Sequence, residues 1–184
     1  MEVLFPEEFQ IVASLPMAGA YDLSGTMIDL ILSMEPYSQA FYFAFILLAY
    51  IEYYQLDELN EFFTEYYADI LPDLFDDTHS GRYINNFLPS VAINILNLEV
   101  LEEFINDENH PFRQIAQAND LYNWMPLTEL HMFHGLADEL VLFSNSQITY
   151  DSFLVLKMST WKQSPNGMEV IAVLQSPVYL ELIL

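Results

Sequence analysis

The sequence contains no cysteine. That removes disulfides, thiolate catalysis and cysteine-based zinc sites. Basic residues are nearly as scarce: Arg82, Arg113, Lys157 and Lys162 stand against 27 acids, for a formal net charge of −23. Such a chain repels phosphate backbones, so no nucleic-acid partner is expected. The acids read as a solvated surface, one that also suits a cationic partner. Long apolar runs are missing too. The longest, residues 40–51, falls short of the roughly 20 residues that cross a bilayer, so no membrane span is expected. Residues 1–8 show neither a basic region nor a cleavable apolar run, and no signal peptide is expected there. There is no internal repeat and no low-complexity linker.

What is present is apolar and aromatic. Of 184 residues, 53% are hydrophobic and 15% aromatic, enough to build a core rather than a disordered chain. Residues 9–15 (FQIVASL) read as a strand buried on both faces and therefore parallel. Gly19 and Gly25 follow in a loop where Asp22 or Ser24 is placed to cap the helix starting near Thr26. From 27 to about 124 the pattern is helical. Met27, Leu30, Ile31 and Met34 recur at helical spacing, and Pro36 ends that helix. Ser38 opens a second, 39–55, apolar nearly all round, which fits burial or an apolar wall. A third runs from Asp57, its first-turn acids suiting the helix dipole, to about Ile70, with Pro72 beyond. Shorter helices are expected at 83–87, 99–106 and 111–119.

Strand character returns at 127–133. A helix is expected at 147–156, a turn at Asn166-Gly167, a strand at 168–174 (MEVIAVL) and the start of a last helix at 179–184. Strands alternating with helices predict an α/β fold with about three parallel strands and a large helical insertion. The expected divisions are 1–26, 27–124 and 125–184.

Three stretches taken together resemble one group of α/β-hydrolases, the lipase- and esterase-like serine hydrolases that carry a helical lid. They are PMAGAYDLSGTM (16–27), the helical block through 124, and HGLADELV (134–141), which follows a strand and precedes a helix. The resemblance implies that residues 27–124 are the lid and that Asp138 is the acid of a Ser–Asp–His triad, orienting a histidine. It also implies a small apolar or acyl substrate and no cofactor. In that family the serine sits in a GxSxG-like elbow upstream of the strand that residues 9–15 resemble. No such motif occurs here: Ser24, Ser80 and Ser164 lack the flanking glycines. The triad histidine should follow the last strand, yet His79, His110, His131 and His134 all precede Asp138. Gln175 lies near the expected place and cannot act as a base near neutral pH. The resemblance therefore implies the C-terminal part of an acyl hydrolase that is inactive as this chain alone. The alternative is a non-catalytic binding or interaction protein using an aromatic helical pocket or its acidic surface.

Blander roles compete at each site. Asp138 also fits a turn cap, His134 a packed turn residue and His131 a core or sheet-face residue. His131, His134, Asp138 and Glu139 would make a metal cluster only if they converged, and strand positions three apart diverge, so no metal is expected. His79 belongs to an acidic loop, and His110-Pro111 to a helix start. The aromatics of 41–54 and 62–67 suit a pocket wall and a core equally.

Overall fold

A computed structural model of the chain describes residues 8, 11–56, 58–123, 129–155 and 168–174. The chain divides into two units, one holding the residues up to Met27 and from Asp120 onward, the other Ile28–Asn119.

In the first unit a sheet of order β1-β2-β3 is formed by β1 (Ala13–Ser14), β2 (Glu129–Gly135) and β3 (Met168–Leu174). β1 and β2 run parallel, as expected, with Ala13 beside Glu129 and Ser14 beside Leu130. A further parallel bridge joins Met17 to Phe133. Leu130, Met132 and His134 are buried, the period-two pattern of a strand with one core face. Leu130 and Met132 meet Tyr150 and Phe153 of helix α8 (Ser144–Val155), with Tyr21 and Phe143 against them.

Two expectations are corrected here. β3 is antiparallel to β2, pairing Met168 with Gly135 and Leu174 with Leu130. Strand–helix–strand order gives a parallel pair only where the helix itself returns the chain to the first strand's start. Residues 156–167 intervene after α8, and a connection of that length reaches up to about 40 Å, so either direction is open to it. The strand expected over 9–15 is also shorter and more exposed than its composition implies. Residues 9 and 10 lie outside the described residues, and Val12 is 88% exposed, with Ile11, Leu15 and Met17 exposed beside it. Among the described residues β1 is the edge of the sheet, so only one side of it has a partner.

The passage out of β1 ends in a single π-helical turn, Leu23–Met27, running into α1 (Ile28–Leu32). Asp22 caps it. Its carboxylate accepts from the Gly25 and Thr26 amides at 3.2 and 2.7 Å and from the Thr26 hydroxyl at 2.7 Å. Ser24, the other candidate cap, lies inside the turn.

The second unit is helical. α2 (Ala40–Tyr53) buries Ala40, Ala44, Leu47 and Ile51, a stripe spaced 4-3-4, while Tyr42, Phe45, Ile46 and Tyr53 stay exposed. The helix that is apolar nearly all round therefore buries one face only. Its first turn is capped from another helix, α5 (Gly81–Asn85), rather than by Ser38: Asn85 Oδ1 accepts from the Phe41 amide at 2.9 Å.

The single helix expected over 57–70 is two, α3 (Leu59–Phe62) and α4 (Glu65–Leu74). Phe63 between them is extended and bridges Leu96, with the Thr64 amide donating to the Ile95 carbonyl and the Asn97 amide to the Phe62 carbonyl. The bridge buries Phe63 and Leu96 almost completely, which outweighs continuing the helix. α4 also runs past the expected stop, with Pro72 inside it. Proline forfeits one backbone bond there, but Leu71 and Leu74 are both buried and hold the last turn.

A 3-10 turn, Ala92–Ile95, absent from the sequence reading, precedes α6 (Leu98–Asn106) and α7 (Pro111–Ala118). His110 starts α7 as anticipated, with Pro111 in the first turn and its own Nδ1 accepting from the Phe112 amide at 3.2 Å. Phe62, Phe104 and Phe112 pack together, and Arg113 donates to the Phe104 carbonyl while lying 5.1 Å over the Phe104 ring. The expected turn at 166–167 and the helix at 179–184 lie outside the described residues.

Candidate functional site

β2 delivers its last buried side chain, His134, just before the chain turns at Gly135. A side chain at Gly135 would meet nothing within 4 Å, so the turn is open to solvent. Closing it, the Asp138 amide donates to the Gly135 carbonyl at 3.2 Å. Asp138 then folds back on its own loop: Oδ1 accepts from the Leu140 and Val141 amides at 2.9 and 3.0 Å. An aspartate two residues before a bend does this readily, because its short carboxylate mimics a backbone carbonyl. Oδ2 takes no part in the turn and lies 3.7 Å from His134 Nε2, with the Asp138 side chain 23% exposed. One oxygen is thus fixed by two backbone donors, and the other lies beside the buried His134 ring.

His134 itself is 1% exposed and saturated. Nε2 lies 2.7 Å from the Val141 carbonyl and Nδ1 2.6 Å from Ser146 Oγ. A carbonyl only accepts, so Nε2 carries the proton and Nδ1 receives the Ser146 hydroxyl. Phe143 meets the ring edge-on at 5.8 Å. With both nitrogens committed, His134 ties the end of β2 to the start of α8 and offers no lone pair for catalysis or a metal. Its neighbour Asn145 is fully buried. Asn145 Oδ1 accepts from the Asp22 amide at 3.0 Å, and its amide group reaches the Leu142 carbonyl and Met27 Sδ.

The other sequence candidates are dispersed. His131 is half-buried on β2. Ser24 donates to Asp120 Oδ2 at 2.6 Å, and its amide to Oδ1 at 3.0 Å. Ser80 is the N-cap of α5, accepting from the Tyr83 amide. His79 lies in the acidic loop, its Nδ1 3.1 Å from Asp76 Oδ1 and its ring stacked on Tyr83. The Thr78 hydroxyl and amide, and then His79, hold the Asp76 carboxyl below its usual range. His110 is buried, and that burial lowers its pKa below 6.5. Glu139 is exposed on the Asp138 loop. Ser164 and Gln175 lie outside the described residues. Among the described residues no three His, Asp or Glu side chains come together as a metal site, and no helix is long and apolar enough to cross a membrane.

Sequence reasoning missed Ser146, Asn145 and Asp120. Each is a polar residue at a helix start or loop, where such residues are expected anyway, so nothing in their spacing signals a buried partner.

The fold has counterparts among solved structures. A rice cell wall degrading esterase, LipA from Xanthomonas oryzae, matches with a TM-score of 0.75 at 24% identity, over 84% of this chain and 43% of the esterase. A putative hydrolase from Legionella pneumophila matches with a TM-score of 0.74 at 19% identity, over 84% of this chain and 42% of that protein. At these identities the likeness is one of fold: the chain has a hydrolase-like fold and spans less than half the length of either counterpart. No protein-family model and no curated protein sequence matches it.

Proposed function

We propose that this chain is the C-terminal part of an α/β-hydrolase that acts on ester or related acyl bonds. In this reading residues 27–124 form its helical lid, and Asp138 sits at the position of the triad acid. The observation that carries it is the Asp138 turn. It follows a strand parallel to β1, and one carboxylate oxygen is anchored by two amides while the other takes no backbone donor, in a side chain that stays 23% exposed. An acid that must orient an imidazole needs that arrangement, since a fixed carboxylate holds the ring's tautomer and stabilises the imidazolium. The likeness to an esterase over 84% of this chain supports the same reading. So does the exposed apolar flank of β1, where Ile11, Val12, Leu15 and Met17 have the surface of an interior strand.

In the complete enzyme a serine supplied from outside these residues attacks the acyl carbonyl, backbone amides hold the oxyanion, and Asp138 supports the histidine that relays the proton. This chain supplies the acid alone, because none of its histidines follows Asp138 and no serine has an elbow's glycines. The chain is therefore expected to be inactive by itself.

Purified chain assayed with p-nitrophenyl butyrate is expected to give the buffer rate and no labelling by a fluorophosphonate probe. Turnover abolished by Asp138→Asn would keep the acid's role and sink the claim of an incomplete site. Turnover indifferent to that substitution would sink both.

A further inference from the structure

The helical unit contains a groove of about 520 Å³ that the acyl-hydrolase reading does not use. Phe41 and Phe45 of α2 form one wall, and Phe75 at the end of α4 forms another. The Phe45 and Phe75 rings stack with centroids 6.2 Å apart. Glu52, Asp77 and His79 stand at its edge. The walls are preset: Asn85 of α5 holds the start of α2 through the Phe41 amide and also donates to Gln39 at 2.7 Å. Gly81 admits the Phe41 ring, where a Cβ would come within 2.6 Å of it.

We propose that this groove binds an organic ammonium, a positively charged amine carried on an aromatic or aliphatic body. Three features select that chemistry over a neutral or anionic ligand. Aromatic faces are electron-rich and attract a cation within about 6 Å. Glu52 and Asp77 have no cationic partner among the described residues, so a bound ammonium would be neutralised at the rim while its body lies against the aromatic walls. A free carboxylate would meet both acids as well as a chain of net charge −23. The volume lies within the range of small-molecule sites, about 300–1,000 Å³.

The test uses three soluble probes of one shape: phenethylammonium, phenethyl alcohol and 3-phenylpropionate, titrated into the full chain by calorimetry in about 0.15 M salt, where diffuse attraction is screened beyond roughly 8 Å. The ammonium is expected to bind about tenfold tighter than the alcohol, and the carboxylate weakest. Glu52→Gln with Asp77→Asn should erase the ammonium's advantage and leave alcohol binding unchanged. Phe45→Ala should weaken both. The surface pair Glu99→Gln with Glu102→Gln, outside the groove, should change nothing. Both double variants keep the wild-type far-UV spectrum if the comparison is sound, since all four side chains are exposed. Equal binding of ammonium and alcohol would overturn the proposal in favour of a merely apolar groove. An advantage lost equally in the Glu99/Glu102 variant would assign it to net charge. Concentration-dependent dimerisation abolished by Phe45→Ala would give the groove to a second copy of the chain.

Discussion

The Ser24 hydroxyl donates to Asp120 Oδ2 over 2.6 Å, joining residues 96 apart in sequence. The Ser24 amide donates to the other carboxylate oxygen, and the Leu121 amide to the Tyr21 carbonyl at 2.7 Å. The two places where the chain passes between its units are thus fastened side by side within the first unit. Asp120 is buried, so losing it strands two donors, whereas Ser24→Ala strands one acceptor. Leaving a buried polar group unmade costs about 1–3 kcal/mol. Asp120→Ala is expected to lower the urea midpoint more than Ser24→Ala, and Asp120→Asn, which keeps an acceptor for the Ser24 amide, less than either.

His134 is the second polar fastener of this unit. Replacing it with phenylalanine keeps the ring and removes both nitrogens, leaving the Val141 carbonyl and the Ser146 hydroxyl without their partner. The expected loss is about 2–4 kcal/mol, two unmade buried bonds. Ser146→Ala in the same background should cost little more, since that hydroxyl has already lost its partner. Additive losses in this double-mutant comparison would show that the two side chains are not coupled.

How far these features could be read in advance depended on whether the information was local. Asp22 and His110 cap helices through side chains adjacent in sequence to what they cap, and such local chemistry shows in the residue order. The strand at 168–174 and its bounds were equally legible from its β-branched composition, but its direction depends on residues 156–167, whose sequence carries no periodicity to fix it. The break at Phe63 was hidden because it is caused by Leu96, a residue that no local pattern links to it. His134 was read as a packed turn residue; it is packed, but within β2, one residue before the turn. Its saturation by Ser146 and Val141 required knowing how the loop closes. Asp138 shows the limit most clearly: the residue order offers a turn cap there, while only the turn geometry separates the oxygen held by the Leu140 and Val141 amides from the one beside His134.

That separation is testable by itself. Asp138→Asn retains one carbonyl oxygen for the Leu140 and Val141 amides, while Asp138→Ala retains none. The alanine variant is expected to lose about 1 kcal/mol and to speed hydrogen exchange at both amides. The asparagine variant should exchange at the wild-type rate. Equal exchange in all three would mean that the carboxylate does not hold the turn in solution.

His110 makes stability depend on pH in a direction fixed by its surroundings. Burial against Phe104 and Phe112 disfavours the imidazolium, the Arg113 guanidinium opposes it further, and Glu103 and Asp107 offset only part of this, so its folded pKa lies below 6.5. The neutral ring also has a task, since Nδ1 accepts from the Phe112 amide and a protonated nitrogen cannot accept. The unfolded chain therefore takes up the proton first as pH falls. The contribution of His110 is complete above pH 6.5 and is lost as pH drops through the lower folded value. Other acids of this chain titrate too, so the comparison is with His110→Asn, which caps a helix without a titrating group. Urea midpoints taken from pH 8 down to 5 should fall more steeply for the wild type than for His110→Asn, and parallel curves would remove the histidine from the account. His110→Ala should lie below both at pH 8, by about 1 kcal/mol, the usual worth of an N-cap.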